Sequence, residues 1–369
     1  MADLALRQEG ELDRSGQEVT IRTMRAEEKP QVRRIAFRAF SFLVRLIFSW
    51  GDTVLVAERA GQLVGGIVLK VFPLARGRKA GFVAWLFSDP DARGLGVGQR
   101  LVEAAMAYFD AKGCDEVIAG IEGHNTSSSK LFATRGFGPL SPGEQWRRYG
   151  WQLPLIWWRT FHLTDVGHLF WVKPAATQED NPAAQWWGSL LLNVLITWIS
   201  IRVWSETDWK TWAVVPATIV VLLGVRRLGM WLAARAQGLE ERYRAWESGF
   251  PLSLAIALVL RGLYIVPGGL YPKGNDWRYR DLTPQLGRMA LAGVAGPLAL
   301  LWLARGLAGV PAVSAVLPII NYVGFSLIIL DVLVPFFPLA CFNGRRLWDW
   351  SPVIWAVVAA IVVALVWII

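Results

Sequence analysis

Two regimes of hydrophobic patterning divide the chain near residue 182. Before it, short apolar stretches alternate with polar ones. EVTIRTM (Glu18–Met24) alternates with the period of a strand, and AEEKPQVRRIAFRAF follows with helical spacing. DTVLVAERAGQLVGGIVLKVF (Asp52–Phe72) predicts two strands joined by a short turn at Ala60–Gln62, a hairpin. AGFVAWLFSDP (Ala80–Pro90) is a further strand run. In DARGLGVGQRLVEAAMAYFDAKG a glycine-rich turn leads into an amphipathic helix. CDEVIAGIEG predicts another strand, and NTSSSKLFATRGFG a short helix closed by glycine. The order β-α-β-β-β-α-β-α predicts a mixed α/β domain over residues 18–150. Residues 1–17 are polar, predicted disordered and without a signal-peptide pattern, so the first domain is expected in the cytosol.

From residue 183 onward the apolar runs approach the roughly 20 residues that cross a bilayer. They are Gln185–Trp204, Trp212–Arg235, Phe250–Leu270, Pro284–Arg305, Ala312–Pro335 and Ser351–Ile369. Residues 183–369 therefore predict an all-α polytopic membrane domain of five to six segments. Six simple crossings would leave Lys273, Arg278, Arg280, Arg345 and Arg346 outside, against the bias of basic loops towards the cytosol. If Phe250–Leu270 is re-entrant, the basic loops at Arg226–Arg244, Lys273–Arg288 and Arg345–Arg346 all face inwards, and the C-terminus lies outside. Between the halves, residues 151–182 predict an interfacial segment and a linker. Trp146–Trp171 is dense in tryptophan and arginine, and reads partly as the last strands of the first domain and partly as a stretch lying on the bilayer. KPAATQEDNP (Lys173–Pro182) is the linker.

Composition agrees with this division. The chain is 54% hydrophobic with 21 tryptophans, far above the soluble average. Of its net charge of +9, residues 183–369 carry 15 Lys and Arg against 9 Asp and Glu, and residues 1–182 carry 23 against 20. Most of the excess charge thus flanks the membrane runs, where acidic lipid headgroups are the natural neighbours. No basic patch or reader motif points to nucleic acid. Cys114 and Cys341 fall in different halves and suggest neither a disulfide framework nor a thiolate metal site. His162 and His168, six apart, read as interfacial residues rather than a metal pair.

The chemistry of the first half centres on ARGLGVG. Arg93, Gly96 and Gly98 come directly after a strand and before a helix. Backbone N–H groups at a helix start point outward unpaired and carry partial positive charge, which suits a pyrophosphate. Glycine lets the phosphate approach closely. With the following helix, strand and N…LF…GF, this pattern resembles the GNAT acetyltransferase superfamily over about Val19 to Phe137. The resemblance implies a GNAT-type mixed sheet, acetyl-CoA as co-substrate and transfer of an acetyl group to an amine. It implies that Arg93, Gly94, Leu95, Gly96, Val97 and Gly98, with Gln99 at the helix start, hold the pyrophosphate through their backbone. Leu86, Phe87 and Ser88 would pair through theirs with the pantetheine arm, and Asn125 would contact that arm. The superfamily often has a tyrosine, as general acid, four residues before the glycine of the final GF; here the position is Phe132, which has no proton to give. Acetyl transfer also needs the amine deprotonated near the thioester. Glu122 is the first choice for that base; His124, at the end of the same strand, and Asp89, on the loop before the turn, are the other candidates. Ser127, Ser128 and Ser129 read as caps of the next helix rather than nucleophiles.

In the second half, LGRMALAGVAGPLALLWLA and LDVLVPFFPLACFNGRRLWDWSPVIWA resemble the membrane core of the site-2 protease family over about Trp212 to Trp355. That family carries an AGP helix, here Ala295-Gly296-Pro297, and later a DG motif whose aspartate binds zinc, here Asn343-Gly344. YIVPGGLY resembles the segment between the catalytic and AGP helices. Counting back from AARAQGLEERYRAW, the zinc-binding histidines would stand at Arg226 and Met230 and the catalytic glutamate at Arg227. Arginine stays protonated and repels a metal, and methionine is a poor zinc ligand. The three histidines of the chain, 124, 162 and 168, all precede the first membrane run. No metal and no protease activity are expected.

These readings predict a multi-pass cell-membrane protein with its N-terminal domain in the cytosol: an acetyl-CoA-dependent N-acetyltransferase on a proteolytically inactive, site-2-protease-like anchor. Its expected partners are acetyl-CoA, membrane lipids and an amine carried by a membrane protein or a lipid, with no nucleic acid. The alternative, favoured by Phe132, is a non-enzymatic acetyl-CoA sensor whose membrane domain binds a transmembrane partner.

Overall fold

The computed structural model describes residues 7–12, 18–163, 165–175, 181–204, 208–274, 277–336 and 340–367. Its first half contains β1 (Arg7–Leu12), β2 (Glu18–Thr23), α1 (Lys29–Ala39), α2 (Phe42–Ile47), β3 (Thr53–Arg59), β4 (Gln62–Pro73), β5 (Lys79–Ser88), α3 (Val97–Ala111), β6 (Glu116–Glu122), α4 (Thr126–Ala133), β7 (Gly138–Pro139), α5 (Pro142–Tyr149), α6 (Leu153–Arg159) and β8 (His168–Lys173). The strands form one sheet in the order β1-β2-β3-β4-β5-β6-β8-β7. Two expectations need correcting. The polar N-terminus, predicted disordered, supplies β1, because an edge strand needs only backbone partners and pairs antiparallel with β2. The sheet also extends past residue 150, since β8 pairs antiparallel with β6 from Val117 to Glu122.

β5 and β6 are parallel and are joined through α3, the kind of crossover a parallel pair requires. They pair only over Ala80–Val83 and Glu116–Ala119. Beyond Val83 the β4–β5 register slips, Leu69 facing Val83 and Val68 facing Trp85, so Ala84 is an extra residue. A bulge of this kind bends its strand. From there β5 follows β4, with Leu86 opposite Ile67 and Ser88 opposite Gly65, while β6 continues beside β8. The sheet is therefore wedged open between the C-terminal ends of β5 and β6. Its core packs α3 residues Leu101, Ala105 and Phe109, all fully buried, against Leu55, Ile67 and Leu69. Each large apolar side chain so buried contributes about 1.5–3 kcal/mol.

The second half contains α7 (Pro182–Trp204), α8 (Trp209–Arg235), β9 (Glu241–Arg244), α9 (Gly249–Val259), β10 (Gly269–Pro272), α10 (Thr283–Gly306), α11 (Pro311–Ser314), α12 (Leu317–Val332), α13 (Asn343–Trp350) and α14 (Pro352–Trp367). Among the described residues, three helices are long and apolar enough to cross a membrane, at Pro182–Val203, Thr211–Arg235 and Thr283–Gly306. The all-α expectation is corrected by the antiparallel pair β9 and β10. The run Phe250–Leu270 is not one helix. α9 has 11 residues, about 16 Å at 1.5 Å per residue, against a hydrocarbon core of about 30 Å. After it residues 260–268 run without helix or strand to β10. Its backbone is satisfied from neighbouring side chains: Asn193 on α7 accepts from the Val266 N–H (2.9 Å) and donates to the Val266 carbonyl (2.9 Å), while Ser253 donates to the Tyr264 carbonyl (2.5 Å). Irregular backbone in apolar surroundings depends on such partners.

The two halves dock closely. A Cβ on Gly123 would run into the Tyr271 ring, and one on Gly167 into Cys341. The Tyr279 backbone N–H donates to Thr126 Oγ1 (3.0 Å). Gln145 Nε2 donates to Glu247 (2.6 Å), and the His162 ring lies 3.2 Å from the same carboxylate. His162, expected at the bilayer surface, is instead 2% exposed in this junction, packed between Trp157 and Phe170.

Candidate active site at the domain junction

The turn between β5 and α3 needs glycine for its backbone. Gly94 and Gly96 have φ of 84° and 83°, the left-handed region, and a Cβ at either would meet open space. The constraint is therefore conformational rather than one of room. Gly96 is the N-cap of α3, so the N–H groups of the first turn, from Val97 to Gln99, project into that space without intrahelical partners. An anion there is stabilised by these donors and by the helix dipole. Leu86 to Ser88 lie at the end of β5 along the wedge. The Leu86 side chain faces the opening, while that of Phe87 is buried against Phe40 and Phe48.

The wedge opens into a cleft of about 950 Å³ shared by both halves of the chain. From the sheet side it is lined by Leu86, Glu122, Asn125, Ser128, Phe132 and His168, and from the membrane half by Tyr279, Cys341, Arg345 and Asp349. Glu122 and His168 are cross-strand partners on β6 and β8, which brings a carboxylate and an imidazole to one edge of the cleft. Asn125 caps α4, its Oδ1 accepting from the Ser128 N–H (3.1 Å), so the cap falls to Asn125 and not to Ser127–Ser129. Phe132 packs edge-on against Phe137 (5.0 Å).

His124 lines the same cleft but is 8% exposed, its ring held between Tyr271 (5.3 Å) and Tyr279 (5.1 Å), with its Nε2 accepting from Arg346 Nε (3.4 Å). Burial, and then the charges of Arg346 and Arg345, hold its pKa well below the ordinary 6.5. Asp89 is engaged elsewhere, accepting from Arg38 (2.7 Å) and from the Asp91 N–H (3.0 Å).

Two cleft residues had no signal in the sequence. Tyr279 donates its hydroxyl to Asp349 (3.0 Å), which also accepts from Arg345 Nε (2.6 Å). Burial, and then the Asp349 carboxylate, push the Tyr279 phenol pKa up, so it stays protonated at neutral pH. The Arg345–Asp349 spacing of four is legible as a helix pair, but nothing local indicates that it faces a sheet far away in the chain.

In the membrane half, the positions that resemblance assigns to zinc ligands lie together. Arg226 forms a two-pronged pair with Asp331, Nε at 2.8 Å and Nη2 at 2.9 Å, and its Nη1 donates to the Gly268 carbonyl (3.3 Å). Asn343 donates to the same Asp331 from its side chain (2.9 Å) and its backbone (3.2 Å), and its Nδ2 lies 3.9 Å from Met230 Sδ. Arg227 turns aside, its guanidinium 4.7 Å from the Trp186 ring and 5.3 Å from that of Tyr243. Among the described residues no group of three or more His, Cys, Asp or Glu could hold a metal ion.

Residues 20–137 match the model of the Acetyltransferase (GNAT) family. They are a GNAT acetyltransferase domain. GNAT acetyltransferases use acetyl-CoA, and the left-handed turn before α3 and the wedge beside β5 fit that co-substrate. Among curated relatives, a mycothiol acetyltransferase of Thermobispora bispora is 35% identical over 95 residues, 25% of this chain and 32% of that protein. Human N-alpha-acetyltransferase 30 is 30% identical over 146 residues, 37% of this chain and 40% of that protein. A Methanocaldococcus jannaschii protein, whose name places it provisionally among zinc metalloproteases, is 32% identical over 127 residues, 34% of this chain and 63% of that protein. The chain thus spans less than two thirds of each of these relatives. The GNAT domain occupies the first half of the chain, and its cleft is completed by residues of the second.

Proposed function

We propose that the protein is a membrane-anchored, acetyl-CoA-dependent N-acetyltransferase acting on an amine at the bilayer surface. The observation that carries this reading is the wedge between β5 and β6, which opens into a cleft lined by Leu86, Glu122 and Asn125. In this reading the pyrophosphate sits on the backbone of Arg93, Gly94, Leu95, Gly96, Val97 and Gly98, with Gln99 in the first turn of α3. The pantetheine arm lies along Leu86, Phe87 and Ser88 and reaches Asn125. Glu122 takes a proton from the acceptor ammonium, the freed amine attacks the thioester carbonyl, the C–S bond breaks and the sulfur leaves as a thiol. His124, its Nε2 facing a guanidinium and its pKa lowered, is the weaker candidate for the base. Phe132 offers no proton to the departing sulfur, whereas Tyr279 brings a protonated phenol to the cleft from the membrane half.

The membrane half serves as anchor and as one wall of the site. Its Arg226–Asp331–Asn343 cluster puts a fixed guanidinium where a site-2 protease would bind its metal, which supports a proteolytically inactive, site-2-protease-like core. The protein is read as multi-pass in the cell membrane, with the GNAT domain on the cytosolic side among the basic loops. Phe132 specifically favours a second reading, a non-enzymatic acetyl-CoA sensor or adaptor whose membrane domain holds a transmembrane partner.

Titration calorimetry of the full-length protein with acetyl-CoA tests the shared premise, and absence of binding at millimolar ligand would overturn both readings. Thiol release in the presence of amines then separates them. The enzyme reading expects turnover that falls by about 10²-fold or more in Glu122→Gln while acetyl-CoA still binds; the sensor reading expects binding without turnover.

A further inference from the structure

The cleft is larger than an acyl thioester needs. At about 950 Å³ it lies near the upper end for pockets that enclose a whole small molecule. The wedge side belongs to the pantetheine arm, and the rest is left to the acceptor. The outer wall of that remainder is apolar and open: Phe42 and Ile47 of α2 and Phe336, shortly after α12, line it while 69%, 48% and 56% exposed. Exposed apolar patches of this kind mark sites where another apolar body settles. In a chain with three membrane-length helices, one of whose apolar helices leads straight to Phe336, the hydrocarbon at hand is that of the bilayer. The inner end has the opposite character. Arg345 and Asp349 offset one another (2.6 Å), leaving the carboxylates of Glu122 and Asp165 on the cleft wall. Two further carboxylates and exposed hydrocarbon side chains on one cleft wall describe the complement of an ammonium group on an alkyl chain.

We infer that the acceptor is a lipid amine, a primary ammonium joined to at least one hydrocarbon chain, entering from the bilayer plane between Phe42 and Phe336. This rests on the acetyltransferase reading above. In the reaction one ammonium proton passes to Glu122, the N–C bond forms as the C–S bond breaks, and a second nitrogen proton is lost as the amide forms. The products are an N-acetylated lipid, free CoA thiol and one released proton.

The test uses full-length protein in phosphatidylcholine nanodiscs with acetyl-labelled acetyl-CoA. The acceptors are hexylamine, decylamine, phosphatidylethanolamine and a short peptide with a free N-terminus, followed by thiol release and product mass. The expected result is a kcat/KM on the order of tenfold or more higher for decylamine than for hexylamine, since each buried methylene favours the complex. Phosphatidylethanolamine should be acetylated, and the peptide should be a poor acceptor. Partitioning into the bilayer acts on every variant alike, so Phe42→Ser and Phe336→Ser should flatten the chain-length dependence relative to the parent. Equal use of peptide, hexylamine and decylamine, or an unchanged slope in both variants, would overturn the lipid assignment while leaving the acetyltransferase reading intact. Failure to bind acetyl-CoA at all would instead remove the premise, and the lipid assignment with it.

Discussion

At the scale of single residues, the cleft separates groups that look alike in sequence. Glu122, His124 and His168 are all polar residues near the end of an apolar strand, yet only the structure shows which nitrogen or oxygen faces open space. His124 is enclosed by Tyr271, Tyr279 and Arg346, whereas Glu122 and His168 sit opposite one another on the cleft edge. Tyr279 is the phenol among the described lining residues, and the Asp349 carboxylate fixes the direction of its hydroxyl. If the hydroxyl turns from Asp349 and delivers its proton to the leaving sulfur, Tyr279→Phe lowers kcat by about 10²-fold with the Kd for acetyl-CoA unchanged. Steady-state kinetics beside calorimetry read that split. A merely structural tyrosine would raise Kd and lower kcat together. Sequence could not nominate Tyr279, because the position usually filled by the acid, Phe132, lies far from it along the chain.

At the scale of elements, what was legible followed from local rules. β2 was read from its alternation, β3 and β4 as two runs flanking a short turn, β5 as a further strand run, α3 from its amphipathic period, and the turn before it from its glycines. The φ of 83° at Gly96 explains why that turn was readable, since a left-handed residue at a helix start nearly demands glycine. Gly96→Ala should therefore strain the turn by roughly 1–3 kcal/mol and weaken acetyl-CoA binding about tenfold. Gly113→Ala, with a φ of 66° at the far end of α3, imposes a comparable strain and should lower the melting temperature without altering Kd. The elements that escaped prediction are those whose partners are distant. β1 is polar on both faces and owes its strand to β2. β8 falls at the end of the tryptophan-rich segment that the sequence read only in part as last strands, and its exact span is fixed by its ladder to β6. The run from Phe250 to Leu270, which the sequence offered as re-entrant, stops being helical after Val259, just before Arg261 and Gly262, but its length conceals that Asn193, on another helix, takes over the backbone.

At the scale of the whole molecule, the two halves share one cleft and one junction, and the junction titrates. Facing His124 are Arg345 and Arg346 of α13, Tyr271, Tyr279 and Cys341, with no carboxylate among the causes of its shift. Its folded pKa lies below 6.5, so the docked state binds fewer protons than the parted one. Docking is thus fully supported above about pH 6.5 and weakens as pH falls from there towards the lowered value. Protection of residues 123–126 from hydrogen exchange, taken relative to the intrinsic rate at each pH, should fall as pH drops from about 7 towards 5, and His124→Gln should remove that dependence. This contact was not visible in the sequence, because His124 and Arg346 are 222 positions apart. The Arg226–Asp331 pair bears on how the molecule is made. A core that carries its own permanent cation, covalently attached and present from synthesis, has no loading step to await. On the proposed reading, its maturation should not depend on the cell's trace-element supply, and a chelator would have nothing at that site to withdraw.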